Sequence, residues 1–198
     1  MYIDNIWIIW TLTFLICIFQ ARASFENEAL DSHNKYRSKH GCPSLSLDSG
    51  LNSDCKSYAK ELADLDTLKH SEGPYGENLC YTSSDPVSCV KDWYNEEKDY
   101  DYGKAQYSPS TGHFTQLIWK SSKTLGIGTY TNSKGISFVV ARYKPQGNMA
   151  GEFKENVPKP NRSRSLHEHA KYLIYTSVIL IICGHISQGL NVQRKFLF

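Results

Sequence analysis

The sequence has no basic stripe, no phosphate-binding loop, no Cys-x-x-Cys spacing and no internal repeat. Each absence removes a class of function. Residues 24–160 hold sixteen Lys plus Arg against eighteen Asp plus Glu. A near-neutral domain of that kind argues against nucleic acid as the main partner. Gly126-Ile127-Gly128 lacks the rest of a nucleotide fingerprint. Without a Cys-x-x-Cys pair, a cysteine zinc cluster is a weak reading. No repeat period points to a solenoid.

Positive charge is also missing from residues 1–5, which carry Asp4 and no Lys or Arg. Residues 6–19 are nonetheless an apolar run, and Ala21-Arg22-Ala23 is a small-x-small cleavage pattern. Residues 1–23 therefore read as a signal peptide cleaved before Ser24. The bare start leaves a retained signal anchor as the alternative. Residues 24–160 form one domain, large enough for its own core. A polar linker, 161–171, follows and opens on the glycosylation sequon Asn161-Arg162-Ser163. Residues 172–192 contain no Asp, Glu, Lys or Arg. As a helix they would cover roughly 31 Å, one hydrocarbon thickness. Residues 193–198 make a short basic tail with Arg194 and Lys195, as a cytoplasmic end would. A membrane span is the leading reading of 172–192, with a lipid anchor or neither as alternatives.

Of six cysteines, Cys42, Cys55, Cys80 and Cys89 fall within the domain. An even set behind a signal peptide suggests two disulfides. Of the three pairings, the local ones are favoured, Cys42–Cys55 and Cys80–Cys89. The alternative is four small buried hydrophobes.

Residues 25–40 have the periodicity of a helix, with Gly41 and Pro43 as a stop. His33 lies on its apolar stripe and reads as a hydrogen-bonded core histidine. Asp48 is a good cap for a second helix, whose buried face is Leu51, Cys55, Tyr58, Leu62 and Leu65. Residues 77–81 read as a short strand, and Ser84-Asp85-Pro86 as a helix start. Residues 125–130 and 136–143 read as strands joined by the loop 131–135. The run 138–141 is apolar on both faces, as a covered central strand would be.

The chemistry gathers around Gly112-His113-Phe114-Thr115-Gln116-Leu117-Ile118-Trp119. Phe114, Leu117 and Ile118 recur at helical spacing, so a short buried helix would hold His113 at the edge of a core. His70, Glu77 and Glu96 lie upstream. Two imidazoles and two carboxylates can share a metal, a proton or a hydrogen-bond network. Trp93, Tyr94, Tyr100, Tyr102 and Tyr107 make an aromatic-rich segment that either closes over a core or lines a lipid groove. Residues alone favour packing.

The stretch Gly112–Trp119 resembles the main signature of the CAP superfamily: cysteine-rich secretory proteins, antigen 5 allergens and plant pathogenesis-related proteins. Phe138-Val139-Val140-Ala141-Arg142-Tyr143-Lys144-Pro145-Gln146-Gly147-Asn148 resembles its second signature. His33-Asn34-Lys35-Tyr36-Arg37 and Gly76-Glu77-Asn78-Leu79 resemble the two smaller ones. Order and wording are most similar to the Golgi-associated pathogenesis-related branch and to venom allergen-like proteins of parasitic worms. Ala141 stands where the second signature commonly has a cysteine, so the disulfide made there by secreted relatives is absent.

The resemblance implies an α+β fold, a three-layer α-β-α sandwich around a small, mainly antiparallel sheet. It implies that His70, Glu77, Glu96 and His113 form the family's cavity tetrad. The two histidines would hold zinc or another divalent cation weakly, and the carboxylates would orient them. It also implies sterol or other lipid binding, for which Trp93, Tyr94, Tyr100 and Tyr102 are the counterparts in position. Two other functions compete with a non-enzymatic binding module. One is a metal-dependent hydrolase or protease using the tetrad, with Ser71 as a conceivable nucleophile. The other is an extracellular immune- or defence-modulating ligand that binds a protein partner. No organic cofactor is implied. Location is extracellular or at the cell surface.

Overall fold

The computed structural model describes residues 24–161. The expected signal peptide, transmembrane segment and basic tail lie outside them, as does most of the linker. Among the described residues no helix is long and apolar enough to cross a membrane.

Ser24 caps the first helix, α1 (Phe25–Lys39), accepting a hydrogen bond from the Asn27 amide. Gly41, at a φ of 69°, turns the chain out of it. A two-residue strand, β1 (Ser46–Leu47), leads to Asp48, whose carboxylate accepts from the Leu51 amide at 3.0 Å and starts α2 (Ser49–Leu65). Strand β2 (Gly76–Thr82) follows, then α3 (Ser88–Asn95), which runs into a 3-10 turn, Glu96–Asp99. α3 starts later than its sequence signal, because Asp85 spends its carboxylate on the Val87 amide in a preceding turn. Helix α4 (Gly112–Ile118) carries His113. Strands β3 (Thr124–Thr131) and β4 (Ser137–Lys144) form the expected hairpin, and a single turn, α5 (Phe153–Asn156), closes the fold.

The sheet order is β1-β3-β4-β2. Only β1 and β3 run parallel; the other pairs are antiparallel. Strand β4 is buried on both faces, as its double-sided apolar pattern predicts. Val139, Ala141 and Tyr143 face one core with α1, α3 and α4, while Phe138 and Val140 face the other with α2. The architecture is the expected α+β sandwich of three layers.

That layering corrects one disulfide. Cys80 and Cys89 are bonded and tie β2 to α3, but Cys42 and Cys55 are free and buried. They are near in sequence and belong to different cores on opposite faces of the sheet. Cys42 contacts the Ile118 carbonyl instead. The glycines of β3 also find a role. A Cβ on Gly128 would lie 2.3 Å from the Lys56 backbone nitrogen, so α2 seats on β3 only where a side chain is missing.

His33 is the core histidine its stripe predicts. Its Nδ1–H donates to the Ala29 carbonyl at 2.7 Å, and its Nε2 accepts from the Tyr143 hydroxyl at 2.9 Å. Burial lowers its pKa to about 4. Arg37, also buried, donates to the carbonyls of Pro43, Leu117, Trp119 and Ser122, and so ties α1 to the chain leaving α4.

Candidate functional site

The four tetrad residues form two hydrogen-bonded His–Glu pairs. In the first, His70 Nδ1 lies 2.9 Å from Glu77 Oε1. Glu77 sits on β2 opposite Arg142 on β4. Only 5% of the Glu77 side chain is exposed, so its charge needs partners. It has four donors. Oε1 accepts from His70 Nδ1 and from the Ser71 amide at 2.9 Å. Oε2 accepts from the Ser71 hydroxyl at 2.5 Å and from Arg142 Nε at 3.0 Å. Burial pushes the Glu77 pKa up, but the bonds from His70, Ser71 and Arg142 outweigh it and leave the pKa low. The bond to Glu77 in turn raises the pKa of His70.

In the second pair, His113 Nδ1 lies 2.6 Å from Glu96 Oε1. Glu96 Oε2 accepts from the His113 and Phe114 amides at 3.0 and 3.1 Å. These are first-turn amides of α4, which have no acceptor within the helix. Thr111 offers no side-chain cap, so Glu96 serves as one from another segment. Asn148 fixes the same turn from its far side. Its Nδ2 donates to the Gly112 carbonyl at 2.9 Å, and its Oδ1 accepts from Thr115 at 2.6 Å.

An ionised carboxylate only accepts hydrogen bonds. Both histidines therefore carry their proton on Nδ1 and present Nε2. Strand β2 connects the pairs. Glu77 reaches Arg142 and Ser71, while the next residue, Asn78, donates to the His113 carbonyl at 3.0 Å. Among the described residues no group of three or more His, Cys, Asp or Glu is gathered as a metal site. Glu77 and Glu96 are spent on orienting their histidines, so Nε2 of His70 and of His113 are the two nitrogens suited to a cation such as zinc.

The aromatic segment is packed. Trp93, Tyr94 and Tyr100 are buried, and Tyr102 lies against the same core. The Trp93 indole N–H donates to the Leu79 carbonyl at 3.1 Å. Tyr94 stacks on Tyr36 at 3.9 Å, and its hydroxyl bonds to His40. Tyr100 meets Tyr102 edge-on at 4.9 Å, and both lie against Phe114. The Tyr100 hydroxyl is buried without a hydrogen-bond partner. Tyr107 is exposed. Asn161, the sequon residue, is exposed at the end of the described chain.

Residues 30–143 match the family model described as the cysteine-rich secretory protein family. The chain belongs to this family. The human Golgi-associated plant pathogenesis-related protein 1 is 43% identical over 150 residues, which cover 72% of this chain and 97% of that protein. Two solved structures share the fold at 22% identity. NaASP2 with Zn2+ has a TM-score of 0.57, covering 72% of this chain and 90% of that one. Venom allergen-like protein 4 of Schistosoma mansoni has a TM-score of 0.54, covering 68% and 94%.

Arg142, Asn78, Asn148 and, as a ligand of Glu77, Ser71 also belong to the site of this CAP domain, beyond the residues singled out from the sequence. Arg142 interrupts a buried apolar strand, which was the available signal: a buried cation requires an anion, and Glu77 is the only tetrad carboxylate that follows a turn into a neighbouring strand.

Proposed function

We propose that this CAP domain is a non-enzymatic binding module of the secretory pathway whose two His–Glu pairs present His70 and His113 to a divalent cation. The observation that carries this is the shared hydrogen-bond pattern. Each imidazole is held through Nδ1 by a carboxylate that is itself fixed, the arrangement that orients a ligating histidine. Two protein ligands leave the ion open to exchange or to a further ligand from a partner. The structural neighbour NaASP2 was solved with Zn2+. Hydrolysis is disfavoured at Ser71, whose hydroxyl donates to Glu77 and accepts from Arg142 and so has no histidine base. Relatives named as pathogenesis-related or secreted support an extracellular or surface location, and a Golgi-associated relative supports retention along the route.

Calorimetric titration of zinc into the full chain and its His70→Ala/His113→Ala variant tests the reading. Saturable binding lost in the double variant is expected. Equal binding in both would end it and shift weight to a protein partner at the surface loops.

A second reading, sterol or other lipid at Trp93, Tyr94, Tyr100 and Tyr102, is favoured by the unpartnered Tyr100 hydroxyl. Burying such a group costs about 1–3 kcal/mol, which lowers the cost of opening this segment. Tyr100→Phe should then raise the melting temperature and weaken binding of labelled cholesterol. Cholesterol binding that is absent, or indifferent to Tyr100→Phe, removes the lipid from this segment.

A further inference from the structure

Glu77 accepts four hydrogen bonds, and a carboxylate has about four lone-pair sites. It has no capacity left to act as a base or to ligate a cation. Its remaining role is to aim His70, and the aim depends on what holds Glu77. Arg142 is the group that does so. Its Nε donates to Glu77 Oε2 at 3.0 Å, and its Nη2 donates to the Ser71 hydroxyl at 2.9 Å, which in turn donates to the same carboxylate oxygen. The guanidinium carbon lies over two aromatic rings, 5.0 Å from the Tyr58 centroid and 4.4 Å from that of Tyr75. The two cation–π contacts hold the guanidinium in place, and its planar fork fixes the direction of both donors. The Arg142 side chain is 7% exposed, so water does not substitute for these bonds. His70 itself is 62% exposed and has no comparable walls. The orientation of a solvent-exposed imidazole is thus set from inside the sheet.

We propose that Arg142, acting through Ser71 and Glu77, is the positioning residue for His70: it keeps the proton on Nδ1 and leaves Nε2 free for the cation. The cation half of this inference rests on the function proposed above; the tautomer half does not.

Arg142→Lys retains the positive charge and removes the two-pronged geometry, so it separates aim from electrostatics. Ser71→Ala removes the hydroxyl relay and provides a second, milder variant should the first fold poorly. The tautomers of His70 and His113 are read in the metal-free full chain from long-range nitrogen–proton correlations, and zinc affinity is read by calorimetry. In the wild type both histidines should be Nδ1-protonated. In Arg142→Lys and in Ser71→Ala, His70 should become a mixture of tautomers while His113 stays as it was. Zinc affinity should fall on the order of ten- to a hundred-fold in Arg142→Lys. A purely structural arginine would lower the melting temperature without moving the His70 tautomer relative to His113, and that outcome overturns the proposal. If the wild type binds no zinc, the cation reading fails, and the tautomer measurement still decides the role of Arg142.

Discussion

The two His–Glu pairs contain the same residues and are built from different material. Glu96 is held by main-chain amides at the start of α4, whereas Glu77 is held by the side chains of Arg142 and Ser71 and by one amide. A main-chain cradle persists as long as its helix does. A side-chain cradle can be dismantled one residue at a time. The same chemical device is therefore robust on one side of β2 and adjustable on the other.

The largest expected effect breaks the adjustable side. Arg142→Met leaves Glu77 buried without its cation, a change that typically destabilises by about 3–5 kcal/mol. Glu96→Gln, by contrast, weakens charge-assisted bonds of a carboxylate that is partly exposed, at about 1.5–3 kcal/mol. Urea unfolding of both variants measures the gap. Equal losses would mean that the two cradles are energetically alike.

Next comes the covalent link between the two sides. Cys80–Cys89 joins the strand bearing Glu77 to the helix that leads to Glu96. Cys80→Ser/Cys89→Ser should cost about 2–3 kcal/mol through the freedom returned to the unfolded loop. Thermal unfolding with and without reductant checks this, and a wild type indifferent to reductant would contradict it.

The smallest effect is a pH dependence on the Glu77 side. His70 is raised from 6.5, so its contribution is complete below pH 6.5 and is lost as pH rises through the folded value. Glu77 is lowered from 4.5, so its contribution is complete above pH 4.5 and is lost as pH falls through the folded value. The pair therefore contributes most between about pH 4.5 and 6.5. The stability difference between wild type and His70→Ala should peak in that window and shrink above it. Buried His33 has the opposite sign: its pKa is lowered, so stability falls between pH 6.5 and about 4 as the unfolded chain takes the proton first. His33→Gln should remove that acid sensitivity and leave the window of His70 unchanged.

Much of this was readable from the residues. Periodicity placed α1 and α2, because burial on one face leaves a repeating trace, and a run apolar on both faces placed β4 of the hairpin. Glu77 and His113 came from the motifs, and His70 and Glu96 from their residue types and the family resemblance. Their division into pairs did not, since it depends on which face of β2 each neighbour occupies. Arg142 was hidden inside an apolar strand whose meaning lies in the residue across from it. The Cys42–Cys55 pairing failed because closeness in sequence does not carry across a sheet that separates the two thiols. The packing of Trp93, Tyr94 and Tyr100 agreed with the composition, while the partner of each hydroxyl required the fold.

Both borders of the sheet are short or partly covered. On one side stands β1, only two residues long. On the other is β2, with the Leu79 carbonyl taken by the Trp93 indole and Cys80 bonded to α3. Short or covered borders deny an incoming chain the ladder on which fibrils and clumps grow. The sheet is thereby guarded against polymerising through its own borders.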